Sequence, residues 1–594
     1  TLHQPVIDNM LRFKNRVAVI DGNGDHLTYK ELSKWCCVLA KQMQQKGVAL
    51  GDRVLVMLPK GAGQVAAVVA CHMIGAVYVP VSVDTPPERY KNIIGQAKPV
   101  LALHCDTGSV ANTCQLATMT IGPFREQESE IEAGAVTYDG LHSAYIIFTS
   151  GSTGVPKGVE MEHGAVRNTL DDMAERFGAA PEDRTFALSA LNFDLSVYDI
   201  FMPLLSGGSV LFPEEGSERN PEHWYQKLHQ SQVTIWNSVP ALLEMLVTWC
   251  ENQSLQLPAS LRLVLLSGDW APLSLPQRIK AIAPNARVVV LGGATEAAIW
   301  SNWQSADHVP SHWASIPYGQ PLSHQYYRVL DKYMSDRPDW VEGDLYIGGA
   351  GLAKSYWGDE DKTAAAFVML GQERLYKTGD RARFWQDGTL EFLGRNDHQV
   401  KISGHRIELG EIEQVLQSHL AVERAVVEVQ KNAGQSVLIS YVVARSSLAL
   451  DTKILKEYVA QFLPYYMVPH NFVVLPALPL SVNGKVDRRA LPAVEFKQVH
   501  THCDSSPSQR VLKNILCETM KLGDLHPEDN FFEAGATSVT LVAAHGKLQK
   551  ALQREFPVTW LFTYSCLRAL DEELNNKKAP AARQRRAKGQ SFTF

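Results

Sequence analysis

Residues 145–158 read Y-I-I-F-T-S-G-S-T-G-V-P-K-G, and this stretch limits what the chain can fold into more than any other. Residues 145–148 form an apolar, β-branched and aromatic run, which predicts a buried strand. The strand breaks into a loop with hydroxyls at Thr149, Ser150, Ser152 and Thr153 and glycines at Gly151, Gly154 and Gly158. Glycine lets successive backbone N–H groups turn inward into an anion-binding concavity, the hydroxyls add donors, and Lys157 adds a mobile positive charge. That chemistry suits the β- and γ-phosphates of a nucleotide. The G-x-x-x-x-G-K-[ST] spacing of a Walker loop is absent. A Gly/Ser-rich surface turn is the plainer alternative. The strand in front, the four hydroxyls and the Pro-Lys-Gly ending argue against it.

Around this loop the chain alternates helices with short buried strands. A capping box from Thr28 to Glu31 opens an early helix. Strands are predicted at 54–58, 77–81 and 101–104 and a helix at 64–75, a spacing that points to doubly wound parallel sheets with helices outside. Residues 107–140 lack periodicity and read as loop-rich. Two further strand-to-loop segments follow at 235–239 and 263–269. Residues 343–356 read as the glycine-rich turns of a small barrel-like subdomain. A helix at 408–416 and alternating strands at 425–430 and 437–443 predict a smaller α+β unit. Residues 499–508 have linker composition, a compact helical unit covers 509–575, and the basic 576–594 tail reads as disordered.

At 594 residues the chain exceeds what one core can organise. A net charge of −6 gives no electrostatic case for nucleic acid. Nine scattered cysteines, an odd number without a C-x-x-C pair, indicate neither a disulfide framework nor a zinc site, and suggest a reducing cytoplasm. The longest apolar run, 65–81, is broken by His72, Gly75 and Pro80 and reads as a helix entering a strand, not a membrane span. No signal peptide is visible. A start at Thr1 rather than Met suggests a piece of a longer chain, expected to be monomeric.

The 149–158 loop, L-G-G-A-T-E-A-A-I-W-S at 291–301, Y-K-T-G-D-R at 376–381, G-R-N-D at 394–397 and N-G-K at 483–485 resemble, in order, the motifs of the adenylate-forming superfamily. That superfamily contains acyl-CoA synthetases, luciferases and the adenylation domains of nonribosomal peptide synthetases. The string D-N-F-F-E-A-G-A-T-S-V-T-L at 529–541 resembles the attachment site of a peptidyl carrier domain. The resemblance implies a large adenylation subdomain at 1–396, a small one at 397–498 and a four-helix carrier domain at 509–575. It implies ATP bound by the 149–158 loop, Thr295 on phosphate, Mg²⁺ on Glu296, Asp380 on the ribose hydroxyls and Arg395 on the nucleotide. Lys485 is the implied catalytic lysine and Asp397 the hinge between two working orientations. Ser538 would carry 4′-phosphopantetheine, transferred from CoA by a phosphopantetheinyl transferase. A simple helix cap is the alternative for Ser538. Relatives usually have tyrosine stacked on adenine where Gly292 stands, so that contact must be missing or replaced.

In N-F-D-L-S-V-Y-D-I-F at 192–201, Asp194 matches the residue that pairs with a substrate ammonium in the peptide-synthetase branch; a helix N-cap is its local alternative. An ionised carboxylate in an apolar pocket does need a cation. By that resemblance the pocket is Asp194, Leu195, Tyr198, Asn237, Leu265, Ser267, Leu291, Ile299 and Trp300. Tyr198 and Trp300 favour a small side chain, and Asn237 and Ser267 can meet a thiol or hydroxyl. This is similar to the pockets of cysteine-activating domains of siderophore and thiazoline-forming synthetases. The implied partners are an upstream condensation or heterocyclisation domain and downstream synthetase domains. Serine is the main competing substrate, because near-isosteres discriminate poorly. An acyl-CoA synthetase, or a non-enzymatic carrier with a degenerate adenylation unit, is the rival of another kind.

Overall fold

Short runs of fully buried β-branched and aliphatic residues, each followed by a helix, build two parallel-centred sheets in the computed structural model. It describes residues 1–105, 116–124, 136–151, 155–396, 399–402, 404–432, 435–445, 450–479, 486–494, 507–520, 525–532 and 534–575. The seven-stranded sheet runs Ser355–Tyr356, Lys157–Glu162, Ser143–Thr149, Val77–Pro80, Arg53–Met57, Leu101–His104, Ala117–Thr120. The nine-stranded sheet is centred on Arg287–Gly292, Leu263–Leu266, Ile235–Ser238 and Arg184–Ala187, all mutually parallel. Helices such as Ala62–Met73 are buried on nearly every residue, as a doubly wound core demands. The Thr28–Glu31 capping box forms, with both of its reciprocal hydrogen bonds present.

A five-stranded antiparallel sheet holding Gly343–Gly349, Glu373–Phe384 and Leu390–Arg395 follows. Its predicted glycine-rich turn region is corrected at one point. Ser355–Tyr356 leaves that sheet and pairs with Lys157–Glu162, extending the phosphate-loop sheet. The 107–140 span also holds more than loops, since Ala117–Thr120 is a parallel edge strand beside Leu101–His104. Only Met119 of that strand is buried, which is why no period betrays it.

The small unit comprises the Gln399–Ile402 and His405–Glu408 hairpin, the Leu409–Gln417 and Thr452–Phe462 helices, and a three-stranded sheet. After it come helices Pro507–Met520, Ser538–Leu552, Trp560–Thr563 and Leu567–Asn575 around their own core of Leu512, Leu516, Leu541, Leu548 and Leu570. The first begins at Pro507, inside the span read as linker. Asp397, Lys485 and the 576–594 tail lie outside the described residues. Among the described residues no helix is long and apolar enough to cross a membrane.

Candidate active site

The Ser143–Thr149 strand turns back antiparallel into Lys157–Glu162, with Thr149 opposite Lys157. The loop between them closes tightly. A Cβ on Gly151 would stand 2.1 Å from the Val155 carbonyl oxygen, so only glycine fits. Thr149 Oγ1 is shielded from solvent and has no hydrogen-bond partner among the described residues. A buried hydroxyl left in that state fits a ligand that supplies the missing oxygen. Ser152, Thr153 and Gly154 lie outside the described residues.

Glu296 sits beside this loop, fully buried, on the short turn Thr295–Ala297. Lys157 Nζ lies 3.1 Å from its Oε1, the Tyr356 hydroxyl donates to the same oxygen at 2.7 Å, and Arg406 Nη1 reaches its Oε2 at 2.7 Å. Burial alone would raise this carboxyl, but Arg406 and Lys157 outweigh it and hold the acid well below the usual carboxylate range. Burial lowers Lys157, aided by Arg406 and opposed by Glu296. An ionised, dehydrated carboxylate next to a phosphate-shaped loop is a donor that a hard dication accepts, so the residues present fit Mg²⁺, which Glu296 would hold.

The second cluster lies at the N-terminal end of the Leu195–Ser206 helix. Asp194 occupies the N-cap position there, yet its side chain caps nothing. It is 5% exposed, and among the described residues it makes no ion pair. Burial raises it to about 6, against a hydrogen bond from the Thr295 side chain and the field of Lys401. Thr295, expected on phosphate, lies near enough to Asp194 to lower it. Leu195, Tyr198, Asn237, Leu265, Ser267, Leu291, Ile299 and Trp300 are all buried nearby. The Tyr198 and Trp300 rings are 4.9 Å apart, and Trp300 Nε1 donates to Ser267 Oγ at 2.9 Å. Ala298 and Ile299 both adopt left-handed backbone, at φ 52° and 74°, which is strained for a β-branched residue. That turn leads directly into Trp300.

Asp199, one helical turn after Leu195, is not singled out by the sequence pattern. It is fully buried and accepts from Asn237 Nδ2 at 2.8 Å. Burial raises Asp199 to about 7, so it does not settle the amide alone. Nδ2 also donates to the Leu195 carbonyl at 3.4 Å, which can only accept, and this orients the Asn237 amide. Asn237 Oδ1 is left buried without a partner among the described residues.

Asp380 and Arg395 face each other across adjacent strands, joined at 2.7 Å. Gly292 is explained by crowding: a Cβ there would lie 2.8 Å from Asn302 Nδ2. The space a side chain at 292 would need is filled by the Asn302 amide, which donates to the Tyr327 hydroxyl at 2.8 Å.

The hairpin of the small unit reaches into the same region. Gly404 N–H donates to Asp269 at 3.2 Å, and Ser150 Oγ donates to the Arg406 carbonyl at 2.7 Å. Glu411, itself buried, accepts from Arg89 at 2.8 Å and from Gly151 N–H at 3.2 Å. Arg406, Glu411, Arg89 and Tyr356 escape sequence reasoning because their roles arise from contacts across the chain. Ser538 is the first residue of its helix and half-buried. Thr537, not Ser538, caps that helix, accepting from Thr540 N–H at 3.1 Å. The cap alternative for Ser538 therefore fails.

Residues 8–357 match the AMP-binding enzyme family, residues 411–485 the AMP-binding enzyme C-terminal domain, and residues 510–572 a phosphopantetheine attachment site. The chain is 39% identical over 580 residues to the "Anguibactin system regulator" of Vibrio anguillarum, spanning 96% of this chain and 55% of that protein. It is 36% identical over 563 residues to a "Phenyloxazoline synthase MbtB" of Mycobacterium sp. (strain MCS), spanning 93% and 48%. The chain thus covers about half the length of these curated relatives. Among solved structures, an artificially fused adenylation–PCP di-domain from Klebsiella oxytoca, NpsA-ThdA, matches with a TM-score of 0.71 at 26% identity, over 79% of this chain and 93% of that one.

Proposed function

The chain belongs to the AMP-binding enzyme family and carries a phosphopantetheine attachment site, and from that premise we propose that it activates an amino acid as its adenylate and loads it on its own carrier. One observation carries the amino-acid reading. Asp194 is a buried carboxylate in an aromatic pocket with no ion-pair partner among the described residues. Such a group calls for a substrate cation, and an α-ammonium supplies one. An acyl-CoA synthetase acting on a fatty or aryl acid has no use for it.

In this reading the substrate carboxylate oxygen attacks the α-phosphorus of ATP, the bond to pyrophosphate breaks, and an aminoacyl-AMP forms. The 149–158 loop and Lys157 hold the departing phosphates. Lys485 neutralises charge building between carboxylate and α-phosphate, and Asp380 with Arg395 orients the ribose. These are positioning and charge-stabilising roles, as expected of phosphoryl chemistry. Glu296 would hold Mg²⁺, which supplies charge neutralisation on the phosphates. Phosphopantetheine on Ser538 would supply the thiol that takes the acyl group as AMP leaves. Arg406 lies on Glu296 here, so a protein cation stands on the carboxylate that would hold the metal in the first step. We assign this orientation to the second step, with rotation about Asp397 separating the two.

Cysteine is the favoured substrate. Tyr198 and Trp300 leave room for a small side chain, and the orphan acceptor on Asn237 calls for a donor such as S–H. Serine is supported by one relative's name, because an oxazoline ring contains oxygen where a thiazoline contains sulfur. A phosphopantetheinyl transferase, an upstream condensation or heterocyclisation domain and downstream synthetase domains are the proposed partners.

Intact mass of the holo-chain tests the loading step. With ATP and cysteine the mass should rise by one cysteinyl group, and Ser538→Ala should abolish the rise. A chain that instead makes free CoA thioesters, and loads no amino acid, contradicts the reading.

A further inference from the structure

The attachment helix Ser538–Leu552 has two working faces. Leu541, Ala544 and Leu548 point into the carrier's own core. Ser538, Val542, Gly546 and Gln549, at helical spacing of four, four and three, share another face. That face lies against the Pro240–Gln253 helix, which follows directly on the pocket strand Ile235–Ser238. Val542 is fully buried and belongs to the same apolar cluster as Leu246 and Trp249, with Val539 packed beside it. Asn252 Nδ2 donates to the Val542 carbonyl at 3.0 Å, and Gln253 Nε2 donates to Gln549 Oε1 at 3.0 Å.

Gly546 faces Asn252 across the two helices. A Cβ there would stand 2.6 Å from Asn252 Cγ and 2.8 Å from Asn252 Cβ. Glycine weakens a helix interior, and the three atoms nearest such a Cβ all belong to Asn252, not to the carrier's own core. Its use is to let the neighbouring helix approach closely.

We propose that Gly546 and Asn252 form a size-matched key by which the Pro240–Gln253 helix selects the carrier it loads. The partner that fits is a carrier, here the chain's own, with glycine eight positions after the attachment serine (538 to 546). A bulkier residue there holds Ser538 off the surface beside the pocket. The proposal rests on the carrier-loading function above, and its test separates the two.

Gly546→Leu is made in the full chain, and three quantities are read: conversion to the holo form by a phosphopantetheinyl transferase, ATP–pyrophosphate exchange, and aminoacyl loading of Ser538. Conversion and exchange should match the parent, while loading slows at least about tenfold, the scale of a central interface residue. Asn252→Gly, which removes the opposing side chain, should restore loading in the Gly546→Leu background. Loading of Gly546→Leu at the parent rate overturns the key. Loss of holo conversion would mark a damaged carrier, and the key is then judged by cross-linking. A disulfide between Gln253→Cys and Gln549→Cys should form when Gly546 is retained and fail to form in the Gly546→Leu background. Equal cross-linking in both overturns the key without reference to activity. A parent chain that loads no amino acid, yet shows this cross-linking difference, sinks the functional reading and leaves the key standing.

Discussion

The two ends of the site each bury a carboxylate and treat its charge in different ways. At the phosphate end, Glu296 is met by Lys157, Arg406 and the Tyr356 hydroxyl, so its charge is satisfied within the protein. At the pocket end, Asp194 has no ion pair and Asn237 Oδ1 no donor among the described residues. The carboxylate at one end is paired within the protein, and the carboxylate at the other is not. The consequence is a division of labour. The carboxylate that handles a ligand common to every turnover is held by one cation of its own unit, Lys157, and one of the small unit, Arg406, whereas the group that chooses the substrate is left without a cation. Unsatisfied buried groups are costly in free energy, which makes them selective.

The largest test is Glu296→Gln. It keeps the shape and removes the charge, and exchange should fall by ~10²–10³ through kcat. A drop of only a few-fold would show that the phosphate end does not depend on this carboxylate.

Next comes Asp194→Asn, which should lower kcat/KM for the amino acid by roughly 10². The same change should stabilise the protein at neutral pH. Burial raises Asp194 to about 6, so the folded state holds its proton more tightly than the unfolded state does. The ionised form therefore costs stability above pH 6, on the order of 3 kcal/mol. The cost shrinks as pH falls through 6 and disappears below about 4. Thermal melting of the variant should exceed the parent at pH 7.5 and coincide with it in acid. A variant melting lower at pH 7.5 would mean that Asp194 is structurally paired. In the parent, amino-acid KM should rise below pH 6 as the carboxylate takes up its proton.

Asn237→Ala should reduce the preference for cysteine over alanine by about tenfold while leaving alanine-dependent exchange nearly unchanged. An equal loss for both would place the orphan acceptor elsewhere than at the substrate side chain. The smallest effect is expected of Tyr356→Phe. Glu296 retains both cations, so exchange should fall by less than about tenfold, in keeping with one lost hydrogen bond.

The same contrast explains what could be read from sequence. The phosphate loop and the Asp194 segment are local strings on strands and a helix start whose periods are plain, and both fall where the pattern puts them. Arg406 and Glu411 stand 110 and 260 residues from the groups they meet, Glu296 and Gly151, and no local pattern carries such a pairing. Local pattern puts Tyr356 in the wrong sheet because a two-residue strand has no period. Asp199 is legible as a helical acid and nothing more. Its meaning comes only with the Asn237 amide beside it.

The central claim is that a buried, unpaired carboxylate selects an ammonium-bearing substrate for adenylation. Amino-acid-dependent ATP–pyrophosphate exchange tests it most directly, run with cysteine, serine, threonine, alanine and an aryl acid lacking the ammonium. The account predicts exchange led by cysteine, none with the aryl acid, and loss of exchange in Lys485→Ala. Exchange led by serine would keep the reaction and change the pocket assignment. Exchange with the aryl acid alone, or with none of the amino acids, would contradict the account.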